Sequence, residues 1–131
     1  MTVTRMDHFT ILTDDLPATL AFYERFVGLT PGARPPFTFP GAWLYAKGSE
    51  QPILHVVARC APEQLVPGVI DHMAFFGTGL AQAVARLEQA QLAFDLRRLP
   101  GYDTWQLFFH DPNGAKVEID FDAAEPAPAG Y

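Results

Sequence analysis

The chain has one cysteine, Cys60, in 131 residues, so no intrachain disulfide and no cysteine-based metal cluster can form. Basic residues are in the minority. Nine Lys and Arg face 15 Asp and Glu, giving a net charge of −6, which argues against nucleic acid or an anionic membrane surface as partner. No apolar run approaches the roughly 18 residues of a transmembrane helix, and no signal-peptide pattern is present. A soluble, cytoplasmic protein is therefore expected. What the chain has in quantity is apolar side chain: 49% of residues are hydrophobic and 13% aromatic, enough for a proper core in a single domain.

The most informative stretch is Leu107 to Phe121. Asp111-Pro112-Asn113-Gly114 lies between two aromatic and β-branched runs. Proline presets φ for a turn and glycine supplies the positive φ that realigns two strands, so a β-hairpin is expected. In its second strand Val117, Ile119 and Phe121 alternate with Lys116, Glu118 and Asp120, the period of a half-buried sheet. One face enters a core; the other carries a carboxylate in mid-strand.

Upstream, Met6 to Leu12 reads as a strand, and Asp14 and Asp15 as N-caps for a helix over Leu16 to Val27 that closes at Gly28. Thr30 to Gly41, with four prolines, reads as a loop with at most an edge strand. Strands follow over Ala42 to Lys47 and Ile53 to Ala58, then a linker over 61–68. The order then repeats: strand Val69 to Phe76, helix Leu80 to Gln91, strand Ala93 to Leu99, a turn at Pro100 to Asp103, and the hairpin. The Ala/Pro-rich residues 123–131 read as a disordered tail.

The repeat holds residue by residue. Met6-Asp7-His8-Phe9 and Ile70-Asp71-His72-Met73 are 64 positions apart, as are Leu16 and Leu80, Ala21 and Ala85, and Glu24 and Glu88. Trp43 and Trp105 match at 62, and Leu54-His55-Val56 matches Val117-Glu118-Ile119 at 63. The expectation is an α+β domain over 1–122, built from two tandem βαβββ modules, 4–60 and 68–122.

Duplication turns scattered polar residues into a set. His8 and His72 occupy equivalent places in the first strands, and His55 and Glu118 in the last. A lone strand histidine is more often a packed residue. Three of the four histidines at repeat-equivalent positions, with Glu118, point to a site; His110 falls outside the set. Imidazole and carboxylate suit divalent iron, manganese, nickel or zinc, and two histidines with one carboxylate leave positions open for substrate. Phe37, Phe39, Trp43, Tyr45, Tyr102, Trp105 and Phe108 are candidates to wall that substrate.

These features resemble the vicinal oxygen chelate superfamily, which includes glyoxalase I, methylmalonyl-CoA epimerase, fosfomycin-resistance thioltransferases, bleomycin-binding proteins and extradiol dioxygenases. The resemblance spans residues 4 to 122. It rests on Asp7-His8, Asp15-Leu16 through Tyr23, Gly28-Leu29, Asp71-His72, and Asp111-Pro112-Asn113-Gly114 through Glu118. It implies a cupped mixed sheet around a metal held by His8, His72 and Glu118, and commonly a homodimer. In glyoxalases and epimerases the position of His55 is a metal-binding Glu or Gln; in extradiol dioxygenases that strand region carries an acid–base histidine. The histidine here favours an extradiol dioxygenase-like oxidoreductase using Fe2+ (alternatives Mn2+, Ni2+ and Zn2+) on a small vicinal diol, with His55 and Tyr102 catalytic. Phe108 and Leu99 depart from that pattern, standing where those enzymes have a tyrosine and near another histidine. The alternatives are a glyoxalase- or epimerase-like lyase or isomerase with four ligands, and a metal-free binding module.

Overall fold

Two short α-helices, a π-helical turn, a 3-10 turn at Pro62–Gln64 and eight strands are the regular elements of the described part of the chain, residues 1–98 and 104–131 of a computed structural model. They form two compact units, Met1–Val66 and Pro67–Tyr131.

In the first unit β1 (Phe9–Leu12) leads into α1 (Leu16–Phe22), then β2 (Thr30–Pro31), β3 (Gly41–Tyr45) and β4 (Pro52–Val57). The sheet order is β1-β4-β3-β2, with β1 parallel to β4 and the other pairs antiparallel. Asp15 caps α1, its carboxylate accepting from the Ala18 N–H at 3.0 Å, and Pro17 occupies the first turn. The helix expected to run regularly to Val27 instead widens to a π-helical turn over Tyr23–Val27. It closes at Gly28, where φ of 77° suits a residue without Cβ. Tyr23, Leu44, Leu54 and Val56 are fully buried and form this unit's core.

The second unit repeats the plan. β5 (Met73–Phe76) leads into α2 (Leu80–Gln89), followed by β6 (Phe94–Arg98), β7 (Thr104–His110) and β8 (Lys116–Asp122). The order is β5-β8-β7-β6, again with the first and last strands parallel. Each unit is thus a βαβββ module, as the repeat requires. Leu80, Val84 and Leu87 of α2 and Leu107, Phe109, Val117, Ile119 and Phe121 of the sheet are buried, which places the apolar half of the alternation on the helix side. In the hairpin turn, Asp111 Oδ1 accepts from the Asn113 and Ala115 N–H groups, both at 2.8 Å, and Gly114 takes φ of 85°.

The register refines one sequence match. Trp43 lies opposite His55, whereas the residue opposite Glu118 is Phe108, so Phe108 and not Trp105 is the counterpart of Trp43. Trp105 pairs with Phe121 and is buried on the core side. The tail differs from a free chain end at two points. Pro128 is buried, and the Glu125 carboxylate accepts from the N–H groups of Gly79 and Leu80 at the start of α2. The cause is that Gly79 has no side chain with which to cap its own helix.

Candidate metal centre and its flanking pocket

His8 and His72 do not lie on the first strands, as expected, but immediately before them: the ladders begin at Phe9 opposite Leu54 and at Met73 opposite Val117. The partner strands are themselves only starting there, one at Pro52, which has no N–H, and the other at Lys116 beside the hairpin turn. The two histidines nevertheless sit identically. Each comes two residues before the one that faces a polar group across the sheet: Thr10 opposite His55, and Ala74 opposite Glu118. The repeat equivalence of the four residues is therefore also an equivalence of register.

In each unit an aspartate precedes the histidine and holds its ring. His8 Nδ1 lies 2.8 Å from Asp7 Oδ2, and His72 Nδ1 lies 2.8 Å from Asp71 Oδ2. The hydrogen bond from His8 is the main cause that holds the Asp7 carboxyl below its usual range. The one from His72, then Lys116 at 3.0 Å, does the same for Asp71. An ionised carboxylate only accepts, so each Nδ1 is the donor. A neutral ring then keeps its free lone pair at Nε2, the arrangement that outer carboxylates impose on metal-ligating histidines. The Asp-His pairs were visible in the sequence as a repeated dipeptide; their orienting role was not.

The second unit adds a carboxylate. His72 Nε2 stands 2.7 Å from Glu118 Oε2, and Gln106 Nε2 donates to the other Glu118 oxygen. Glu118 is 4% exposed. Burial, and then the Asp120 carboxylate beside it, push its carboxyl above the usual range. With His72 Nδ1 already donating to Asp71, the short Nε2–Oε2 contact requires a proton between those atoms. Asp120 leaves its own Oδ1 buried without a hydrogen-bond partner. Lys116 and Asp120 share the strand face of Glu118, as the alternation predicts, and Lys116 also lies 5.2 Å from the Phe108 ring centre. Gln106 is a residue that sequence reasoning missed. Nothing in its local pattern marks it.

In the first unit the partner of the histidine is another ring. His55, in the middle of β4, stacks on His8 with centroids 3.8 Å apart, and on its other side against Trp43 at 4.3 Å. Burial, and then the electrostatic influence of the neighbouring His8, lower its pKa, so the ring is neutral near pH 7. Its Nε2 is buried and has no hydrogen-bond partner. A buried lone pair without a donor is costly unless something else uses it. Beside His55 opens a cavity of about 130 Å³ lined by Thr10, Arg34, Phe37, Phe39 and Trp43.

Among the described residues no three His, Cys, Asp or Glu side chains are grouped closely enough to hold a metal ion. Each unit offers a pair instead: His8 with His55, and His72 with Glu118. The donor types, the orienting aspartates and the orphaned Nε2 all fit a divalent cation of the iron-to-zinc series. Tyr102, the other expected catalytic residue, lies outside the described residues. His110 is exposed at the end of β7, opposite Lys116 and not opposite Glu118.

No helix among the described residues is long and apolar enough to cross a membrane. A curated relative, "Glyoxylase I 4" of Arabidopsis thaliana, is 29% identical over 126 residues, covering 89% of this chain and 70% of that protein. A fosfomycin resistance protein from Listeria monocytogenes superposes with a TM-score of 0.72 at 13% identity, covering 94% of this chain and 97% of that one. TnmS3, an antibiotic binding protein from Streptomyces sp. CB03234, gives 0.71 at 20% identity, with 93% and 98% covered. At those identities the two structures speak for the fold alone. Residues 5–119 match the family described as "Glyoxalase/Bleomycin resistance protein/Dioxygenase superfamily", and the chain belongs to it.

Proposed function

We propose that the protein is a metal-dependent lyase or isomerase of the glyoxalase type, with His8, His72 and Glu118 as metal ligands and His55 as the fourth group. The observation that carries this reading is the register: His55 stands to His8 in one unit as Glu118 stands to His72 in the other. The Arabidopsis relative, named a glyoxylase, leans the same way. We put the lyase reading first and keep the dioxygenase, which the histidine at position 55 suggested, as the second.

When bound, a divalent cation supplies Lewis-acid stabilisation of negative charge developing on a substrate oxygen. The chain's own contribution is positional. Asp7 and Asp71 fix which nitrogen of His8 and His72 is free, and Gln106 holds one Glu118 oxygen so that the other meets His72. Trp43 covers one face of the His55 ring and keeps water from it, leaving Nε2 able to coordinate or to take a proton.

That last property supports a second reading, an Fe2+-dependent extradiol dioxygenase-like enzyme in which His55 moves a proton beside the metal. Substituting His55→Ala separates the two. Loss of metal, measured by plasma mass spectrometry after dialysis, together with loss of activity supports the four-ligand site. Retained metal with turnover lowered by roughly a hundredfold to ten-thousandfold supports the acid–base role. Wild-type metal content in Glu118→Gln protein contradicts both.

A homodimer is part of the proposal. Val66, Val69, Ile70 and Phe76 are each more than 70% exposed, and β1 and β5 end their sheets, features that a second copy would cover.

A further inference from the structure

We propose that the cavity beside His55 selects a small planar carboxylic acid, a single aromatic or conjugated ring bearing a carboxylate, with Arg34 as the group that recognises the anion. This deepens the proposed function and rests on it for the chemistry. The pocket itself lies wholly within the first unit and needs no metal to form.

The walls set the shape. Trp43 and Phe37 lie 6.2 Å apart between ring centroids, Phe37 stacks on Phe39 at 5.1 Å, and Trp43 stacks on His55. Such walls favour a flat guest, because ring faces and edges gain most from another ring. The volume, about 130 Å³, sets the size. A cavity of about 150 Å³ accepts benzene, so one ring fits here and a fused pair does not.

The charge sets the polarity. Arg34 donates from Nη2 to the Phe39 carbonyl at 3.0 Å, and its guanidinium lies 4.8 Å from the Phe37 ring centre and 5.0 Å from that of Phe39. Arg59 covers Phe39 at 4.6 Å. Among the described residues neither arginine has a carboxylate partner, although acidic residues outnumber basic ones and Arg5, Arg97 and Lys116 are all paired. The stacking and the single backbone hydrogen bond hold the Arg34 fork in place while leaving its other N–H groups to a bidentate acceptor. Gly41 preserves the room this needs: a Cβ there would meet the Val56 carbonyl at 2.3 Å and Arg34 Nη2 at 3.2 Å. A guanidinium held in the lining of an aromatic pocket, without a carboxylate partner among the described residues, calls for a ligand that brings one.

The test is calorimetric titration of the full chain with three probes: benzoate, benzyl alcohol and cyclohexanecarboxylate. It is run on chelator-dialysed protein and on protein loaded with metal. Benzoate is expected to bind both forms, at least about tenfold tighter than benzyl alcohol, the worth of one charge-assisted contact. Arg34→Gln should remove that preference while leaving benzyl alcohol within about twofold. Phe37→Leu, at a half-exposed position that threatens no core, should abolish the preference for benzoate over cyclohexanecarboxylate. Benzoate binding by protein that takes up no metal when metal is offered keeps the pocket and sinks the metal reading. Metal binding without benzoate binding, or an Arg34→Gln chain that treats benzoate as the wild type does, overturns the pocket.

Discussion

Glu125 offers the sharpest test of how the second unit is held. The substitution is Glu125→Ala, with Glu125→Gln beside it. In the native chain one carboxylate accepts from Gly79 N at 2.9 and 3.0 Å and from Leu80 N at 2.6 Å, so two of the free N–H groups of α2 depend on it. An N-cap acceptor is worth about 1 kcal/mol, and a negative charge at a helix start adds about 0.3 to 1 kcal/mol. Both are lost together, and the N–H groups are only partly open to water, so about 2 kcal/mol is expected for the alanine and about half that for the glutamine, which keeps an acceptor. For a chain of this size that lowers the midpoint of thermal unfolding by roughly 6 to 10 °C and by about half as much, respectively. Circular dichroism at 222 nm reads the midpoint, and amide hydrogen exchange reads Gly79 and Leu80 directly. An alanine variant within about 1 °C of the wild type, with those two amides exchanging no faster, would show that the tail does not cap α2 and would refute the reasoning.

Three further outcomes follow from the site. Asp71→Ala removes the acceptor that orients His72, and should weaken metal binding by about tenfold to a hundredfold without unfolding the protein; competition with a chromophoric chelator measures it. The metal-free chain should lose stability as pH rises through the raised Glu118 value, since that cost is absent below the ordinary carboxyl range. It should also lose stability as pH falls from 6.5 through the lowered His55 value, since the unfolded ring takes up a proton first. Urea titrations between pH 4 and 8 check both slopes, and Glu118→Gln should erase the alkaline one only. Light scattering at micromolar concentrations should give the mass of a dimer; a monomer across that range counts against the proposed assembly.

Much of the fold was legible because its signals are local. The hairpin turn, the Asp15 cap and the Gly28 terminus each depend on residues within five positions of one another. The duplication was legible because two copies were compared, and the equivalence of His55 with Glu118 survived the drift in loop length. What was missed depends on register or on distant residues. Similarity of residue type aligned Trp43 with Trp105, although pairing puts Phe108 in that place. Gln106 reaches Glu118 across a strand pair, and Glu125 caps a helix some 45 residues earlier. Arg34 sits in a proline-rich loop whose composition says only that it is a loop. Such contacts are made by tertiary structure, and no periodicity records them.

The proton between His72 Nε2 and Glu118 Oε2 has a consequence for the order of events in the life of the molecule. Small domains whose metal ligands repel or dangle without the ion cannot fold until it arrives. Here the second unit already satisfies its own buried carboxylate, with Gln106 on one oxygen and the shared proton on the other. Folding can therefore come first and loading afterwards. A cation bound as proposed would then enter by exchange, expelling hydrogen ions from a finished scaffold, and the acidity of the surroundings would govern how readily the protein takes it up and gives it up.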